Sequence, residues 1–331
     1  MALYSSFLYG SSVVYGATST ITSLSVDTGP STGQTAITLL GAYLSWEGDD
    51  DTFIGAILDV LKFTDISSGP GAITTNAPNL SLSTGATPGS VAGIETAHPF
   101  GDISYEIKAI IPRITQYPDA ATNLISMQLY VDASNYCTIG VNVGITSGTM
   151  TLDTEVVVAG VTVDSSSTAW TTGVSTFKIL RWGNVVQFFA NGSIIDSTKL
   201  FVTTASTFRY FNKNLTSTYD TLCTVEYVKQ RTFVAFDNQI QDEVTVVSPY
   251  RIRFSTPASV DTRGVSAAYA GLVDLSVCSQ SVTTRSNFFE YYYDSVLTLA
   301  VSEQFGTTLS IVDDSTLRTP SGVVKGLGGG R

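Results

Sequence analysis

Asp153 and Glu155 form the pair of carboxylates in this sequence whose type and spacing could support chemistry. They stand two residues apart in a run that predicts a β-strand, so both side chains would lie on one face of that strand. Hydrolysis of a glycosidic bond requires two carboxyl groups about 5 to 10 Å apart in a cleft. A solvated strand face explains the same pair without chemistry. We take that simpler interpretation, and the sequence alone assigns no catalytic residue.

The single histidine and the three cysteines do not add to this pair. His98 is followed by proline and has no serine motif near it, which favours a structural or surface role over Ser-His-Asp chemistry. Cys137, Cys223 and Cys278 are widely spaced and show no metal-ligand spacing. Each lies in an apolar, strand-like run, which predicts buried, reduced thiols. Folding in a reducing cytoplasm agrees with this prediction.

The composition predicts an all-β protein. Only 14% of the 331 residues are charged, and the abundance of Ser, Thr, Gly, Val, Tyr and Phe is typical of strands and turns. A net charge of −11 argues against a nucleic-acid partner, because phosphate binding needs a basic face. No apolar run approaches the roughly 20 residues of a membrane span, and the first residues do not resemble a secretory signal. We therefore expect no membrane insertion.

Residues 176 to 195 predict a β-hairpin that fixes its own register. A loop at Gly183 and the asparagine after it, with a second turn at Asn191, places glycine and asparagine where a tight turn needs positive φ. The facing pairs would be Trp182 with Val185, Ile179 with Phe188 and Phe177 with Ala190. Alternation then gives one apolar face, interrupted by Arg181 beside the turn. We expect this hairpin to lie centrally in a β-sandwich.

Two segments about 200 residues apart resemble the two halves of one IPT/TIG immunoglobulin-like domain. The first half carries the family's turn and strand residues at Gly29, Pro30, Gly33, Thr35, Ile37 and Gly41, with Gln34 in place of the family's second turn glycine. The second half is carried by 244–257, 271–277 and 287–291. The resemblance predicts a split domain made of 21–46 and 237–293. Two unrelated β domains in series are the alternative.

The intervening residues, 47–236, resemble the concanavalin A-like jelly-roll sandwich of laminin G domains and legume lectins. The resemblance rests on the order of three runs, which begin near Tyr105, Met127 and Phe177. Residues 1–20 contain two Tyr-Gly pairs and predict an extended arm, and 294–331 predict further strands and a flexible glycine-rich tail. The predicted fold is therefore all-β, with a lectin-like jelly-roll sandwich inserted in an immunoglobulin-like sandwich and an extended N-terminal arm.

This resemblance implies a calcium site, although we predict no obligatory cofactor. Many lectin-like sandwiches bind Ca²⁺ through loop oxygens, and Asp132 and Asn135 occupy such a loop. The acidic run Asp49 to Asp51 is a second candidate. Turn formation explains Asp132 and Asn135 equally well, and a solvated loop explains the acidic run.

The resemblance also implies glycan binding on an aromatic platform. Tyr136, Trp170 and Trp182 are the candidates, and packing in the core is the alternative for each. Glucanases of this fold carry a Glu-x-Asp-x-(x)-Glu set on one strand. This chain has no such set, and Asp153-x-Glu155 is its nearest counterpart.

The combination of folds resembles bacteriophage virion proteins, which fold in the host cytoplasm. It predicts a non-enzymatic structural protein of the particle, as a capsid decoration, head fibre, or neck or tail component. Its partners would be other virion proteins and copies of itself, with host-surface glycans as a further possibility, and its location would be the virion. A glycan-binding adhesin is the alternative. A polysaccharide-degrading enzyme is a third hypothesis, disfavoured by the missing carboxylate set.

Overall fold

The computed structural model describes residues 19–44, 53, 58–60, 62–97, 99–111, 122–143, 149–215, 220–237, 239–259, 270–279 and 282–293. These residues form 23 β-strands and no α-helix, which confirms the predicted all-β class. Within these ranges no helix has the length and apolarity to cross a membrane. Most of the predicted arm, the segment 294–331, the run Asp49 to Asp51 and His98 lie outside the described residues.

The strands are numbered in the order in which they follow one another along the chain. The first twelve are β1 (Thr20–Leu24), β2 (Thr28–Pro30), β3 (Ala36–Ala42), β4 (Phe63–Asp65), β5 (Ala72–Asn76), β6 (Asn79–Ser83), β7 (Val91–Thr96), β8 (Ile103–Ile111), β9 (Thr122–Asp132), β10 (Asn135–Val143), β11 (Met150–Val158) and β12 (Val161–Ala169). The others are β13 (Gly173–Trp182), β14 (Val185–Ala190), β15 (Ser193–Thr198), β16 (Thr207–Asn214), β17 (Leu222–Arg231), β18 (Phe233–Phe236), β19 (Gln239–Gln241), β20 (Thr245–Ser248), β21 (Arg251–Ser255), β22 (Gly271–Cys278) and β23 (Val282–Tyr292).

The chain divides into two compact units, and it passes from one to the other and back. It leaves the smaller unit after Leu44, builds most of the larger unit from Ser45–Thr232, and resumes the smaller unit at Phe233. The short segment Cys278–Val282, between β22 and β23, is again assigned to the larger unit. The larger unit therefore holds β4 to β17, and the smaller unit is made by β1 to β3 with β18 to β23. The sequence placed the corresponding limits at 46/47 and 236/237.

The larger unit is a sandwich of two seven-stranded antiparallel sheets. We call the sheet with the order β12-β11-β10-β9-β16-β7-β4 the groove sheet, and the sheet with the order β15-β14-β13-β8-β17-β6-β5 the hairpin sheet. Alternation along each strand sends apolar side chains inward and polar side chains outward. On β8, for example, Tyr105, Ile107 and Ala109 are buried, while Glu106 and Lys108 are half-buried on the outward face.

Aromatic side chains from both sheets meet in one core. Tyr105 of the hairpin sheet lies 4.6 Å from Phe208 and 6.5 Å from Tyr210 of the groove sheet, measured between ring centroids. All three are fully buried. Each such side chain contributes about 1.5 to 3 kcal/mol through removal of apolar surface from water. This shared core holds the two sheets face to face and leaves their outward faces free for other roles.

The hairpin of β13 and β14 has the predicted register. Ile179 lies opposite Phe188, and the two other predicted pairs are also formed. Gly183 has a φ of +60°, and Asn191 has a φ of +49° in the second turn, as the turn chemistry requires. The predicted apolar face is buried, and it includes Arg181, which is only 1% exposed.

Arg181 is accommodated in that face by oxygen acceptors. Its Nη1 donates to the carbonyl of Thr204 at 2.7 Å and to the hydroxyl of Ser206 at 2.9 Å. Burial lowers the pKa of the guanidinium from its usual value, and the charge of Asp102 opposes that shift. A buried polar group of this kind is tolerated because its donors are satisfied. Arg181 thus ties the segment before β16 to the central hairpin.

The three cysteines are buried, as the sequence predicts. Cys137 lies on β10 of the groove sheet and Cys223 on β17 of the hairpin sheet. Burial raises the pKa of Cys223 to about 12 and raises the pKa of Cys137 further. Both thiols therefore stay protonated and behave as small apolar groups in the folded protein.

The smaller unit is a second, smaller sandwich. One sheet has the order β1-β3-β21-β20 and the other β19-β18-β22-β23-β2. Their buried faces share one core, in which Phe236 lies 5.3 Å from Phe289 and 5.9 Å from Phe254 between ring centroids. The two sequence segments of the split domain meet here, because β3 pairs with β21 and β2 pairs with β23.

Candidate functional site

A polar groove of about 640 Å³ lies on the outward face of the groove sheet. It is formed where four strands, β9 to β12, run side by side. Alternation on β11 buries Leu152, Thr154 and Val156 and turns the residues between them outward. The side chains that line the groove include Ser126, Thr138, Asn142, Asp153, Glu155 and Ser167.

The strand register fixes the neighbours of the two carboxylates. Asp153 lies opposite Gly140 on one side and Ser167 on the other, and Glu155 lies opposite Thr138 and Ser165. Two residues of rise along a strand separate the Cα atoms of Asp153 and Glu155 by about 7 Å. Both side chains are half-buried and line the same groove. The predicted placement of this pair on one strand face is therefore confirmed.

The carboxylate of Asp153 is held by donors from three strands. Oδ2 accepts hydrogen bonds from the amide of Asn142 at 2.6 Å and from the hydroxyl of Thr151 at 3.0 Å. Oδ1 accepts one from the hydroxyl of Ser167 at 2.6 Å. All three donors are neutral. They fix the orientation of the carboxylate without cancelling its charge.

The carboxylate of Glu155 is bonded by two hydroxyl groups. Oε2 accepts from the phenol of Tyr136 at 3.3 Å, and Oε1 accepts from Thr162 at 3.0 Å. Burial, and then the charge and hydrogen bond of Glu155, raise the pKa of Tyr136 from its usual value. Tyr136 is therefore a neutral donor at physiological pH. Glu155, like Asp153, has neutral hydrogen-bond partners.

Gly140 keeps the floor of the groove low. A Cβ atom at this position would contact the hydroxyl of Ser126 and would lie 2.9 Å from the carbonyl oxygen of Ile125. Any side chain would therefore have to displace β9 or fill the space between Asp153 and Ser126, which lie on either side of Gly140. The glycine therefore lets β9 approach β10 closely next to Asp153.

The groove is acidic and contains no compensating base. Among the residues that line it in the described part of the chain, there is no Lys, Arg or His. In the same row of the sheet, Arg209 lies three strands from Glu155, about 14 Å away by strand spacing. Its guanidinium is engaged by Glu95 at 3.0 Å and lies 3.2 Å from the ring centroid of Tyr130. The charge of the groove is therefore carried by Asp153 and Glu155.

The three predicted glycan-binding aromatics lie in three different places. Tyr136 is on β10 and reaches the groove through its bond to Glu155. Trp170 packs against the core, 6.0 Å from Phe177 between ring centroids. Trp182 is half-buried at the end of β13, in the hairpin sheet. The structure does not gather them into one platform, and their role in binding stays a prediction.

Asp132 and Asn135 close the turn between β9 and β10. Asp132 Oδ1 accepts hydrogen bonds from the backbone N–H of Ser134 at 2.7 Å and from the amide of Asn135 at 3.0 Å. Asn135 Oδ1 accepts one from the N–H of Ala159 at 3.0 Å. These contacts are the turn chemistry given above as the alternative to calcium binding. No group of three His, Cys, Asp or Glu side chains that could hold a metal occurs among the described residues.

Several groove residues carry no signal in the sequence. Asn142, Thr162 and Ser167 are single polar residues on strands, and nothing near them in sequence marks them. They reach the carboxylates only because β10 and β12 pair with β11 in one particular register. The alternation of β11 could locate Asp153 and Glu155, but not their partners.

Similar solved structures share the sandwich. No protein-family model matches the chain, and no curated protein matches it by sequence. The β-glucanase of Bacillus licheniformis is similar over 55% of this chain and 96% of its own, at 12% identity and a TM-score of 0.43. The laminarinase of Flavobacterium sp. UMI-01 is similar over 55% and 97%, at 13% identity and a TM-score of 0.43. Porphyranase B of Zobellia galactanivorans is similar over 59% and 92%, at 11% identity and a TM-score of 0.41.

The fold is all-β, and the larger unit is a sandwich of two antiparallel sheets, as the sequence predicts. The same comparisons correct the functional prediction. A non-enzymatic structural protein of a phage particle was expected, whereas the similar structures carry the names of enzymes: a β-glucanase, a laminarinase, a porphyranase and a transglycosylase. These names contradict the prediction that the chain is not an enzyme, and we withdraw that prediction. The sequence assigns Asp153 and Glu155 to a solvated strand face, whereas the structure places both in a groove. This difference is why the sequence alone disfavours an enzyme.

Proposed function

We propose that the larger unit binds a polysaccharide chain in the groove and hydrolyses its glycosidic bonds, with Asp153 and Glu155 as the two carboxylates. The observation that supports this proposal is the position of both carboxylates on one face of β11, inside the groove. Their Cα separation of about 7 Å is of the order that glycoside hydrolysis requires between its two carboxyl groups.

The groove matches a sugar chain in size and in chemistry. Its volume of about 640 Å³ lies within the range of small-molecule sites. Its hydroxyl and amide groups, such as those of Thr138, Asn142 and Ser165, can both donate and accept hydrogen bonds, as sugar hydroxyls do. Gly140 adds no side chain to the groove beside the carboxylates, because the space over its Cα is already filled by Ser126 and the backbone of Ile125.

The hydrogen-bond partners suggest different roles for the two carboxylates. Asn142 donates its amide N–H to Asp153, and an amide nitrogen cannot accept a hydrogen bond in return. This contact favours the ionised form of Asp153. Asp153 therefore suits the carboxylate that stabilises or attacks the positive charge that develops on the sugar ring. Glu155 is bonded only by the hydroxyl groups of Tyr136 and Thr162. A hydroxyl group can rotate and accept a hydrogen bond instead, so these partners also tolerate a protonated Glu155 that donates its O–H. Glu155 therefore suits the general acid that protonates the glycosidic oxygen as the bond to the leaving group breaks.

The test is release of new reducing ends from a panel of neutral and charged polysaccharides by the full chain. We expect turnover of at least one, with a loss of about 10³-fold in kcat/KM for Asp153→Asn and for Glu155→Gln. The matched control is Glu226→Gln, which neutralises a carboxylate on the hairpin sheet, beside Lys108. Absence of turnover on every substrate, or equal activity in the groove variants and the control, would overturn the proposal.

Some expectations from the sequence stay predictions. They are the IPT/TIG identity of the smaller unit, the binding of Ca²⁺, association with other virion proteins and with copies of the same chain, and location in a virion.

A further inference from the structure

We infer that the groove selects its polysaccharide by charge: it disfavours chains that carry carboxylate or sulfate groups and binds chains with protonated amino sugars most tightly. This inference rests on the proposed function and specifies its substrate class. It follows from the way in which the two carboxylates of the groove are partnered.

Every hydrogen-bond donor to these carboxylates described above is neutral. Asp153 is bonded by an amide and two hydroxyls, and Glu155 by a phenol and a hydroxyl. The phenol of Tyr136 stays neutral because burial and the charge of Glu155 raise its pKa. The hydrogen bonds therefore hold both carboxyl groups in place, and no base of the groove cancels the negative charge that either of them carries.

Three glutamates elsewhere in the larger unit have cationic partners. Glu226 is paired with Lys108 at 2.5 Å, Glu106 with Arg231 at 2.7 Å, and Glu95 with Arg209 at 3.0 Å. The last pair lies on the groove sheet itself, in the same row as Glu155. The groove sheet therefore does carry a base, Arg209, but this base is paired with Glu95 outside the groove.

The energetic consequence depends on the charge of the sugar. An ammonium group in the groove would face two carboxylates at short range, whereas a uronate or sulfate group would meet like charges in a half-buried site. The net charge of −11 adds a longer-range repulsion of polyanions. Both effects weaken as salt shortens the range of the interaction.

The experiment compares three oligosaccharides of equal length by calorimetry with the full chain at about pH 5, where the amines of an amino sugar are protonated and free carboxyl groups are largely ionised. They are a fully deacetylated chitin oligosaccharide, its N-acetylated counterpart and an oligogalacturonate. At low salt we expect the amino sugar to bind about tenfold more tightly than the acetylated one, and the galacturonate most weakly. At about 1 M salt, the first two should converge to within about twofold.

Variants assign the effect to the groove. The double substitution Asp153→Asn with Glu155→Gln should abolish the preference for the amino sugar. Asp164→Asn should keep it, because Asp164 is on β12 but lies opposite the buried Val156, away from the groove. If the double variant fails to fold, each single substitution should still reduce the preference for the amino sugar. The salt dependence of binding to the wild-type protein tests the charge selection without any substitution.

The outcomes separate the two proposals. Equal binding of all three oligosaccharides, or tightest binding of the galacturonate, would overturn the charge selection and leave the proposed function standing. A preference that persists unchanged in both groove variants would also overturn it. If none of the three binds and no polysaccharide is turned over, both proposals are wrong.

Discussion

On the outward face of the hairpin sheet, acidic side chains are paired with bases, whereas the two carboxylates of the groove have only neutral hydrogen-bond donors. Glu226 meets Lys108, and Glu106 meets Arg231 and the phenol of Tyr227. The two sheets have seven strands each and share one core, so architecture does not account for the difference.

The comparison distinguishes two kinds of acidic residue. Those of the hairpin sheet form ion pairs on the surface, whereas those of the groove have no base beside them and can interact with a ligand. Exposed ion pairs add little stability, on the order of 0 to 1 kcal/mol, but they leave no uncompensated charge. Two neighbouring carboxylates without a base repel each other and cost stability. Such a cost is typical of binding and catalytic sites, where function and stability compete.

The core that both faces share should dominate stability. Phe188 of β14 is fully buried, and replacing it by alanine should lower the free energy of unfolding by about 3 to 5 kcal/mol through lost burial and cavity formation. Its neighbour Gln187 faces outward and is half-buried, so Gln187→Ala should change it by no more than about 0.5 kcal/mol. Denaturant unfolding measures both. Similar losses of unfolding free energy in the two variants would mean that Gln187, on the outward face, contributes as much to stability as the core residue Phe188.

The floor of the groove should tolerate no side chain. The Cβ of Gly140→Ala would contact Ser126 and approach the carbonyl of Ile125, so we expect a loss of about 1 to 3 kcal/mol in unfolding free energy and weaker oligosaccharide binding. The control is Gly101→Ala, where a Cβ would meet no atom within 4 Å. Thermal unfolding and calorimetry give the two readouts. A neutral Gly140→Ala variant would contradict the described floor.

Alkaline pH should lower the free energy of unfolding through buried thiols on both sheets of the larger unit. The thiol of Cys223 has an ordinary pKa of 9.0 that burial raises to about 12 in the folded protein. Below pH 9 the thiol is protonated in both states, and its stabilising contribution is fully present. Above pH 9 the unfolded chain loses a proton that the folded chain keeps, so unfolding free energy falls by about 1.4 kcal/mol per pH unit for this thiol until about pH 12.

This slope can be measured by denaturant unfolding between pH 9 and pH 11. Cys223→Ala should reduce the slope, and so should Cys137→Ala, because burial raises the pKa of Cys137 on the opposite sheet as well. An unchanged slope in either variant would mean that its thiol ionises in the folded protein.

The smallest expected change in unfolding free energy is the one whose sign differs between the groove and the hairpin sheet. Glu155→Gln removes one of two neighbouring charges and should raise the unfolding free energy by about 0.5 kcal/mol. Glu226→Gln leaves Lys108 without its partner and should lower it by a similar amount. Both changes should shrink at high salt. The same sign in the two variants would remove the distinction between the faces.

Local patterns in the sequence predicted the parts of the fold that depend on local geometry. The register of the β13–β14 hairpin follows from its turn residues, and Gly183 and Asn191 adopt the positive φ that those residues allow. The shared face of Asp153 and Glu155 follows from alternation along one strand. These features need no knowledge of distant parts of the chain.

The groove itself depends on pairing between strands, which the sequence does not encode locally. Thr162 bonds Glu155 only because β12 folds back on β11 with its register shifted between Val156 and Val157. Trp170 shows how little residue type decides: a tryptophan can belong to a binding platform or pack in the core, and the sandwich places Trp170 against the core, while its role in binding stays a prediction. Polar residues on strands are too common for their type alone to mark a site.

The position of β12 at the edge of the groove sheet has a consequence for motion. β12 pairs with β11 on one side and is the terminal strand of the sheet, and most of its side chains are exposed. Strands with few buried contacts open at low energetic cost, so the amide protons of β12 should exchange with solvent sooner than those of β10. Because Thr162 and Ser167 belong to β12, a bound chain that contacts them would hold this strand closed, and the rate of exchange at its amides would report directly on occupancy.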